Sequence, residues 1–361
     1  MHVGLVGPLP PPSGGMANQT RQLANLLASE NIQVTLIQVN APYYPQWIEK
    51  VKGLRAFFRL IPYLYKLWQS ANSVQLFHVM ANSGWSWHLF SAPAIWIAYL
   101  KNKPVIINYR GGKAEAFFNK SIFWIKPSLK KTSEIIVPSA FLKNIFEKRG
   151  FKATIVPNII DLDRFAFQTK EWIIPKVKNA PHIILTRNLE SIYDNTTAIK
   201  AFSIVKKKFP YAKLSIAGSG PERSILEQLV ESLNLVDSVV FLGRVDNITI
   251  NQLYHKADVM INSSLVDNMP ISILEALACK VPVVSTNVGG VPFLVKHDET
   301  ALLVPPQEPQ EIAKAIELIL TNPEKTKKMV ETGYEVVQQY SWDNVRLKLM
   351  EIYDHTLINY N

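Results

Sequence analysis

The stretch MHVGLVGPLPPPSGGMANQTRQLANLLASENIQVTLIQV, residues 1–39, decides the fold class. Val3–Val6 is a short apolar run typical of a buried strand, and the prolines and glycines that follow it indicate a loop. Ala17–Glu30 repeats apolar residues at helical spacing, and Val34–Val39 is a second β-type run. This order predicts a βαβ unit, in which a helix connects two parallel strands.

Strand-like and helix-like runs alternate along the rest of the chain in two series. The first series continues with predicted strands at Gln75–Val79, Val105–Asn108, Ile135–Val137 and Thr154–Val156. The second predicts strands at Ile183–Thr186, Leu214–Ala217, Val239–Leu242, Val259–Asn262 and Val283–Ser285. Its predicted helices are Thr196–Lys208, Glu222–Leu233, Thr249–Lys256 and Ile271–Cys279. Because crossover connections are right-handed, each series predicts an open parallel sheet with helices on both faces.

The length of 361 residues predicts two domains, since a single hydrophobic core stops growing at roughly 250 to 300 residues. Phe165–Ala180 interrupts the periodicity and contains Pro175, so we expect the linker there. A composition with 48% hydrophobic and 19% charged residues argues against a disordered chain. Cys279 is the single cysteine, which excludes a disulfide framework and a multi-cysteine metal site.

The distribution of charged and apolar residues bears on location and partners. Residues 1–150 carry 17 Lys and Arg against 5 Asp and Glu, so the net charge of +10 originates in the first half. The N-terminus lacks a basic region and its apolar run breaks at Pro8, so we expect no signal peptide. The most apolar stretch, Trp87–Leu100, is shorter than the roughly 20 residues that cross a bilayer. The sequence therefore predicts a cytoplasmic protein whose positive half attracts polyanions or an anionic membrane.

Two basic segments of the first half, Lys50–Trp68 and Lys120–Lys131, are interleaved with aromatic residues. Pro62 is expected to divide the first of them. Such a composition suits the headgroup layer of an anionic membrane, to which the protein would bind peripherally from the cytoplasmic side. The alternative is a pair of ordinary helices whose apolar sides lie in the core of the domain.

A glycine pair follows the first strand in Pro10-Pro11-Pro12-Ser13-Gly14-Gly15. Doubly wound sheets bind ligands at this edge. Gly14 and Gly15 let the backbone approach a ligand just before the N–H groups of a helix, a geometry that suits phosphate. The segment matches neither the dinucleotide fingerprint nor a Walker loop. A phosphate-binding loop and a plain Pro-rich turn both remain open.

A second loop, Ser263–Glu275, leads from a strand into a predicted helix. Pro270 fits the first helical position. This position leaves three N–H groups without intrahelical partners at the positive end of the helix dipole, those of Ile271, Ser272 and Ile273. We expect these groups to hold a diphosphate. Asp267 and Glu275 flank the site and suit ribose and sugar hydroxyls, and the alternative is an N-terminal acid beside an ordinary surface glutamate.

The second half carries, in order, Asp267-x7-Glu275-Ala276-Leu277-Ala278, Val281–Thr286, Gly289-Gly290-Val291-Pro292 and Thr300–Pro306. Further runs outside this block are Gly14-Gly15, Pro157–Asp161 with Phe165, Arg187, Ala217–Pro221, Phe241–Gly243 and Tyr340–Asp343. Together they closely resemble the retaining, nucleotide-sugar-dependent glycosyltransferases of family 4, over nearly the whole chain.

The resemblance implies the GT-B fold, an α/β architecture of two Rossmann-like domains with parallel sheets facing a central cleft. Residues 1–166 would form the acceptor domain and residues 167–342 the nucleotide-sugar donor domain, with a C-terminal helix at about 343–361 packed back on the first. By the same resemblance, Glu275 would contact the nucleotide ribose, Asp267 the donor sugar and Arg187 the diphosphate. The donor-binding set would be completed by Gly14, Gly15, Gly218, Asn268, Met269, Pro270, Ile271 and Ser272.

The sequence departs from the family's pattern at three positions. Asp267 replaces the usual glutamate and is one methylene shorter. Relatives usually carry a lysine a few residues after Arg187, whereas Asn188–Asn195 contains none. Arg110 stands where a histidine normally faces the sugar. Because arginine cannot act as a base, we assign Arg110 to electrostatic stabilisation of the leaving phosphate.

The expected reaction is transfer of a hexosyl group (EC 2.4) from a nucleoside-diphosphate sugar to a glycan or lipid-linked acceptor. We expect retention of configuration at the anomeric carbon and a role in surface-polysaccharide assembly. Its predicted catalytic residues are Asp267, Arg187 and Arg110. We expect neither a cofactor nor a metal, although Asp161-Leu162-Asp163 spells the D-x-D of metal-dependent glycosyltransferases. The alternatives are a nucleotide-sugar epimerase of the same fold and a basic nucleic-acid-binding protein. No nucleic-acid motif is present in the sequence, so we expect no nucleic-acid partner.

Overall fold

The computed structural model describes residues 1–11, 14–43, 47–48, 51, 54–166 and 180–360. The chain divides into two compact units, Met1–Ile159 with Trp342–Asn361, and Ile160–Ser341. Each unit contains a parallel six-stranded sheet with helices. The predicted α/β fold class with two parallel sheets is confirmed.

The first unit is built on a sheet with the strand order β2-β1-β3-β4-β5-β6. The strands are β1 (His2–Gly7), β2 (Gln33–Gln38), β3 (Leu76–Ala81), β4 (Val105–Tyr109), β5 (Glu134–Val137) and β6 (Thr154–Ile155). Its helices are α1 (Gly15–Ser29), α2 (Leu54–Ser70), α3 (Ala92–Leu100), α4 (Ala114–Leu129) and α5 (Ala140–Glu147). Val3 lies opposite Val34 on one side and Leu76 on the other, which confirms the βαβ unit at the N-terminus.

Alternate side chains of this sheet fill two cores, because successive residues of a strand point to opposite faces. Helices α2 to α5 cover one face, where Tyr63 and Leu67 of α2 are buried. Helix α1 covers the other face with Leu23 and Leu27. Among the described residues, no helix combines the length and apolar character that crossing a bilayer requires.

Helix α2 runs through Pro62 without interruption, so the expectation that this proline divides the segment is wrong. A proline inside a helix costs about 3 kcal/mol, since it removes one hydrogen bond and crowds the preceding turn. Tyr63 and Leu67, next to and one turn after it, are almost completely buried, and the Tyr63 hydroxyl donates to the Phe90 carbonyl at 2.7 Å. Burial of these two side chains offsets the cost of the proline.

The second unit is built on a sheet with the strand order β12-β11-β10-β7-β8-β9. The strands are β7 (His182–Leu185), β8 (Lys213–Ala217), β9 (Val239–Gly243), β10 (Val259–Asn262), β11 (Val283–Thr286) and β12 (Leu302–Val304). The helices are α6 (Leu162–Phe165), α7 (Asn195–Lys208), α8 (Arg223–Ser232), α9 (Asn247–Lys256), α10 (Ile271–Ala278), α11 (Val291–Leu294), α12 (Pro309–Thr321) and α13 (Pro323–Val337). Strand β12 was not predicted, because three residues are too few for a pattern.

The last helix, α14 (Trp342–Tyr360), belongs to the first unit. The Tyr353 hydroxyl lies 2.7 Å from Nδ1 of the buried His78 on β3, and Arg346 pairs with Glu30 at the end of α1. Burial lowers the pKa of His78 to about 3, so its ring is neutral. The amide of Asn108 donates to Nε2 at 3.0 Å, and the ring proton therefore lies on Nδ1 and faces Tyr353.

The division between the units falls at 159/160 instead of the predicted 166/167. Ile160 and Phe165 are buried in the core of the second unit. The Ile160 N–H also donates to the Tyr340 carbonyl at 3.0 Å, so the two ends of the second unit lie next to each other. Of the predicted linker Phe165–Ala180, residues 167–179 lie outside the described residues.

Candidate functional site

The predicted site residues fall into two groups, one in each unit. Strands β7 and β10 are neighbours in the second sheet, so the loops that follow them meet at its carboxyl edge. The second unit holds Arg187, Gly218, Asp267, Asn268, Met269, Pro270, Ile271, Ser272 and Glu275, and the first holds Gly14, Gly15 and Arg110.

Arg187 follows β7 and reaches across to the loop after β10. Its Nη2 donates to the Asp267 carboxylate, and its Nη1 lies 3.5 Å from the Ser272 hydroxyl in the first turn of α10. The guanidinium also stacks on the Tyr193 ring, with 4.3 Å between its central carbon and the ring centroid. Burial lowers the pKa of Arg187, while the carboxylate of Glu275 is among the groups that raise it. The structure thus places a mostly buried cation at the start of α10.

The start of α10 differs from the prediction by one residue. Pro270 is the residue before the helix, with an extended ψ of 118°, and the first helical residue is Ile271. The Pro270 carbonyl accepts the N–H of Ile273 at 3.2 Å, so only two of the three expected N–H groups remain for a ligand. Within the described part of the chain, the N–H groups of Ile271 and Ser272 have no backbone acceptor. We call these two N–H groups and the Arg187 guanidinium the α10 anion site.

Gly218 lies against the main chain of Arg187. A Cβ atom on Gly218 would come within 2.0 Å of the Arg187 carbonyl oxygen. The glycine therefore allows the loop after β8 to pack on the residue that carries the guanidinium. Asn268 and Met269 are buried beside Pro270 in the loop before α10.

Glu275 lies one turn inside α10, on the side facing α9. The Tyr254 hydroxyl donates to its Oε2 at 2.8 Å. Burial raises the pKa of Glu275 to about 7, although the hydrogen bond from Tyr254 and the positive charges of Arg164 and Arg187 act in the opposite direction. Glu275 is therefore not the ordinary surface glutamate of the alternative interpretation.

This raised pKa predicts a pH dependence of stability. The native state binds the Glu275 proton more tightly than the unfolded chain, whose carboxyl has a pKa of 4.5. Stability is therefore lost as pH rises from about 5 to 8, by up to about 3 kcal/mol. Urea unfolding of the ligand-free protein across this range should show the loss, and Glu275→Gln should show a smaller one. Parallel pH profiles for the two proteins would refute the assignment.

The residues predicted in the first unit lie near the start of α1. Gly14 precedes the helix, Gly15 begins it, and a Cβ atom on either glycine would meet no neighbour within 4 Å. Arg110, at the end of β4, donates from Nε to the Asn108 amide oxygen at 3.0 Å. Its Nη1 donates to Asn158 and lies 3.4 Å from the amide oxygen of Gln19 on α1. Burial lowers the pKa of Arg110 to about 10.

The sequence did not identify two tyrosines and one serine of the second-unit site. Tyr193 stacks on Arg187, Tyr254 donates to Glu275, and the Ser264 hydroxyl lies 3.4 Å from Arg187 Nη2. Tyr193 lies in the stretch after Arg187 that lacks the family's lysine. This missing lysine was the one feature of the sequence that could have drawn attention to Tyr193. Nothing in the spacing pointed to Tyr254.

Acidic residues of the described segments are not arranged to hold a metal. No group of three or more His, Cys, Asp or Glu side chains converges within those segments. Asp161, the first residue of the D-x-D triplet, instead caps α6 by accepting the Arg164 N–H at 3.0 Å.

Both halves of the sequence match models of glycosyltransferases, which defines the class of protein. Residues 13–164 match the family described as Glycosyltransferase Family 4, and residues 167–336 match Glycosyl transferases group 1. The chain belongs to glycosyltransferase family 4, and the resemblance stated from the sequence is confirmed.

An uncharacterized glycosyltransferase of Haemophilus influenzae is 24% identical over 92% of this chain and 94% of its own length, and relatives of higher identity match over shorter stretches. An uncharacterized glycosyltransferase of Methanocaldococcus jannaschii is 37% identical over 39% of this chain and 37% of its own. The N-acetyl-alpha-D-glucosaminyl L-malate synthase of Bacillus anthracis is 31% identical over 62% of this chain and 56% of its own. The match thus spans less than two thirds of either of these last two relatives. Anabaena HepE, solved in complex with UDP-glucose, shares the fold at 18% identity, with a TM-score of 0.75 over 98% of this chain and 99% of that chain.

Proposed function

We propose that the protein transfers a hexosyl group from a nucleoside-diphosphate sugar to a glycan or lipid-linked acceptor, with retention at the anomeric carbon. The observation that carries the proposal is the α10 anion site together with Glu275. Arg187, which pairs with Asp267, and the start of a helix supply N–H donors at one point, and a partly buried carboxylate, that of Glu275, lies one turn away. A nucleoside diphosphate matches this arrangement, because its diphosphate is an anion that accepts from N–H donors and its ribose hydroxyls can donate to a carboxylate.

The reaction needs charge stabilisation on the leaving diphosphate. Fixed donors aimed at an oxygen that gains charge stabilise such a transition state without reorganisation. Arg187 and the two N–H groups of α10 would serve this role, and Glu275 would accept hydrogen bonds from the ribose hydroxyls. Because an arginine and a helix dipole can meet the diphosphate charge, we propose a metal-independent reaction without a cofactor.

The first-unit residues would add to the donor site from the start of α1. Gly14 and Gly15 present open backbone at the start of α1, where a phosphate or sugar oxygen could approach. Arg110 lies beside the same helix through Gln19 and would add positive charge. Asp267 would contact the donor sugar.

A ligand screen tests the proposed function. We expect one of UDP, GDP or ADP, and its sugar conjugates, to raise the melting temperature, because a ligand that binds the folded state stabilises it by about 2.7 kcal/mol at a hundred times its Kd. The complex of HepE with UDP-glucose makes UDP sugars the first choice. Product analysis then separates the alternatives: a changed sugar without transfer indicates an epimerase, and stabilisation by DNA but by no nucleotide indicates a nucleic-acid-binding protein.

We further propose that the first unit docks on an anionic membrane from the cytoplasmic side, in surface-polysaccharide assembly. Lys50 and Lys52 of the first predicted segment lie outside the described residues, as does the side chain of Arg55. Helix α2 exposes Phe57, Phe58, Ile61, Tyr65 and Trp68, and α4 exposes Phe123 and Trp124. The side of α2 that carries Tyr63 and Leu67 is buried, so this helix contributes both to the core and to the surface.

Helix α3 links the two predicted segments into one surface. It contacts both α2 and α4 and exposes Trp96, Tyr99 and Leu100. The ammonium group of Lys101 lies 4.0 Å from the centroid of the Trp68 ring, and that of Lys131 lies 4.0 Å from the centroid of the Tyr99 ring. Exposed aromatic rings with lysines between them suit the interface of an anionic bilayer.

Vesicle binding tests this surface. Phe123→Ser with Trp124→Ser should reduce sedimentation with phosphatidylglycerol vesicles about tenfold, because two exposed aromatic rings lose their apolar contact with lipid. Tyr211→Ser, an exposed aromatic of the second unit, is the matched control. Equal sedimentation of both variants and the wild type would refute the docking proposal.

A further inference from the structure

We infer that Asp267 is the resident anion of the α10 anion site, and that donor binding exchanges its carboxylate for the diphosphate. The inference rests on the proposed donor site. It assigns Asp267 a second role besides the sugar contact, and it assigns Tyr193 the role of a positioning residue for Arg187.

The first observation is the position of the Asp267 carboxylate. Arg187 and Asp267 pair with side chains that are only 13% and 12% exposed. The same guanidinium points its Nη1 at Ser272 in the first turn of α10. The carboxylate therefore neutralises the cation at the point where the diphosphate would have to bind. A second anion cannot join this pair without losing most of the attraction, since the guanidinium charge is already compensated.

The second observation limits how the exchange can occur. The Asp267 carbonyl accepts the Gly290 N–H at 2.8 Å. A Cβ atom on Gly289 would lie 2.2 Å from the same carbonyl oxygen, so the two backbone segments are packed in close contact. The main chain at residue 267 is thus held in place, and the exchange has to be a rotation of the Asp267 side chain.

The third observation concerns what holds Arg187 when Asp267 leaves. The Tyr193 ring lies under the guanidinium, and the turn that carries it is tied to the loop after β10 at two points. The Ser263 hydroxyl donates to the Tyr193 carbonyl at 2.8 Å, and the Leu265 N–H donates to the Ile192 carbonyl at 2.8 Å. Arg187 Nε has no acceptor among the described residues, so the guanidinium has a spare donor for a diphosphate oxygen.

The exchange discriminates between a nucleotide sugar and the bare diphosphate. A carboxylate displaced from its cation within a mostly buried site is costly unless it gains new hydrogen bonds. Sugar hydroxyls of the donor would supply them, whereas the diphosphate product has none to offer at that place. Asp267 should therefore compete against the bare diphosphate more than against the donor, which favours product release.

Calorimetry with inorganic pyrophosphate and UDP tests the exchange. Asp267→Asn keeps the shape of the side chain but removes its charge, so pyrophosphate and UDP should bind about tenfold tighter than to the wild type. UDP-glucose should gain less, because its sugar loses a carboxylate partner. Asp267→Glu keeps the charge and should show no such gain. Unchanged or weaker pyrophosphate binding by Asp267→Asn overturns the inference.

Two further results separate this inference from the proposed function. If the wild type binds UDP but Asp267→Asn binds it no tighter, the exchange is wrong and the donor site stands. If the wild type binds neither pyrophosphate nor any nucleotide, both are wrong. Tyr193→Phe should keep the wild-type pyrophosphate affinity through its ring, whereas Tyr193→Ala should weaken it. Equal losses in both Tyr193 variants would contradict the positioning role of the ring.

Discussion

Arg187→Ala is expected to lower kcat by about two to three orders of magnitude, since it removes a fixed donor for the leaving diphosphate. Arg187→Lys should restore little of the activity, because an ammonium group lacks the planar fork that can reach Ser272 and a phosphate oxygen together. The measurement is steady-state transfer at saturating donor.

The control for this substitution is Lys208→Ala at the end of α7. Lys208 is exposed and pairs with Glu317 on α12, and it lies just before β8 begins, at the edge of the sheet opposite the site residues. The control should keep wild-type kcat. A kcat for Arg187→Ala within a few fold of the wild type would show that the guanidinium does not act on the leaving group.

Glu275→Ala should weaken nucleotide-sugar binding by about a hundredfold. Hydrogen bonds to a charged group contribute about 1.5 to 3 kcal/mol each, and the ribose offers two hydroxyls. Calorimetry with the sugar nucleotide identified by the screen measures the loss. The fold should persist, because the substitution removes a carboxyl whose burial is unfavourable in its charged form.

The pH dependence of donor binding provides the internal check on Glu275. The ionised carboxylate is the stronger acceptor, so donor affinity of the wild type should rise between pH 6 and 8, through the pKa of about 7. Glu275→Gln should show a flat profile. A hundredfold loss in Glu275→Ala without any pH dependence in the wild type would mean that the side chain acts through packing.

The strands were predictable because buried parallel strands are continuous apolar runs bounded by turn residues. All eleven predicted strands are present, with ends within two residues of the prediction. The twelfth strand, β12, was not predicted, because its three residues within Thr300–Pro306 are too few to form a recognisable pattern. Helix α2 continues through Pro62 because Tyr63 and Leu67 pack into the core, and such tertiary packing does not show in local sequence.

The loops of the site were predictable from topology, and the side-chain pairing within them was not. Arg187 and the start of α10 were expected at one edge, since loops after neighbouring parallel strands meet there. Arg187 and Asp267 are eighty positions apart, and which anion the guanidinium selects depends on rotamers that spacing does not determine. The contacts of Tyr193 and Tyr254 escaped prediction for the same reason.

The boundary between the units shows a related limit. The loss of periodicity predicted a linker at Phe165–Ala180, whereas the division between the units falls before that segment, with Ile160 and Phe165 buried in the second unit. Apolar residues of this kind look alike in sequence whichever core they enter. In the folded chain both side chains pack into the core of the second unit, and the Ile160 N–H donates to the Tyr340 carbonyl of the same unit.

A crystal structure of the protein with bound UDP or UDP-glucose tests the central claim most directly. The diphosphate should lie within hydrogen-bonding distance of the Arg187 guanidinium and of the N–H groups of Ile271 and Ser272, with the Asp267 carboxylate turned away from the arginine. A diphosphate bound elsewhere, with the pair of Arg187 and Asp267 intact and no ligand at the start of α10, would contradict it.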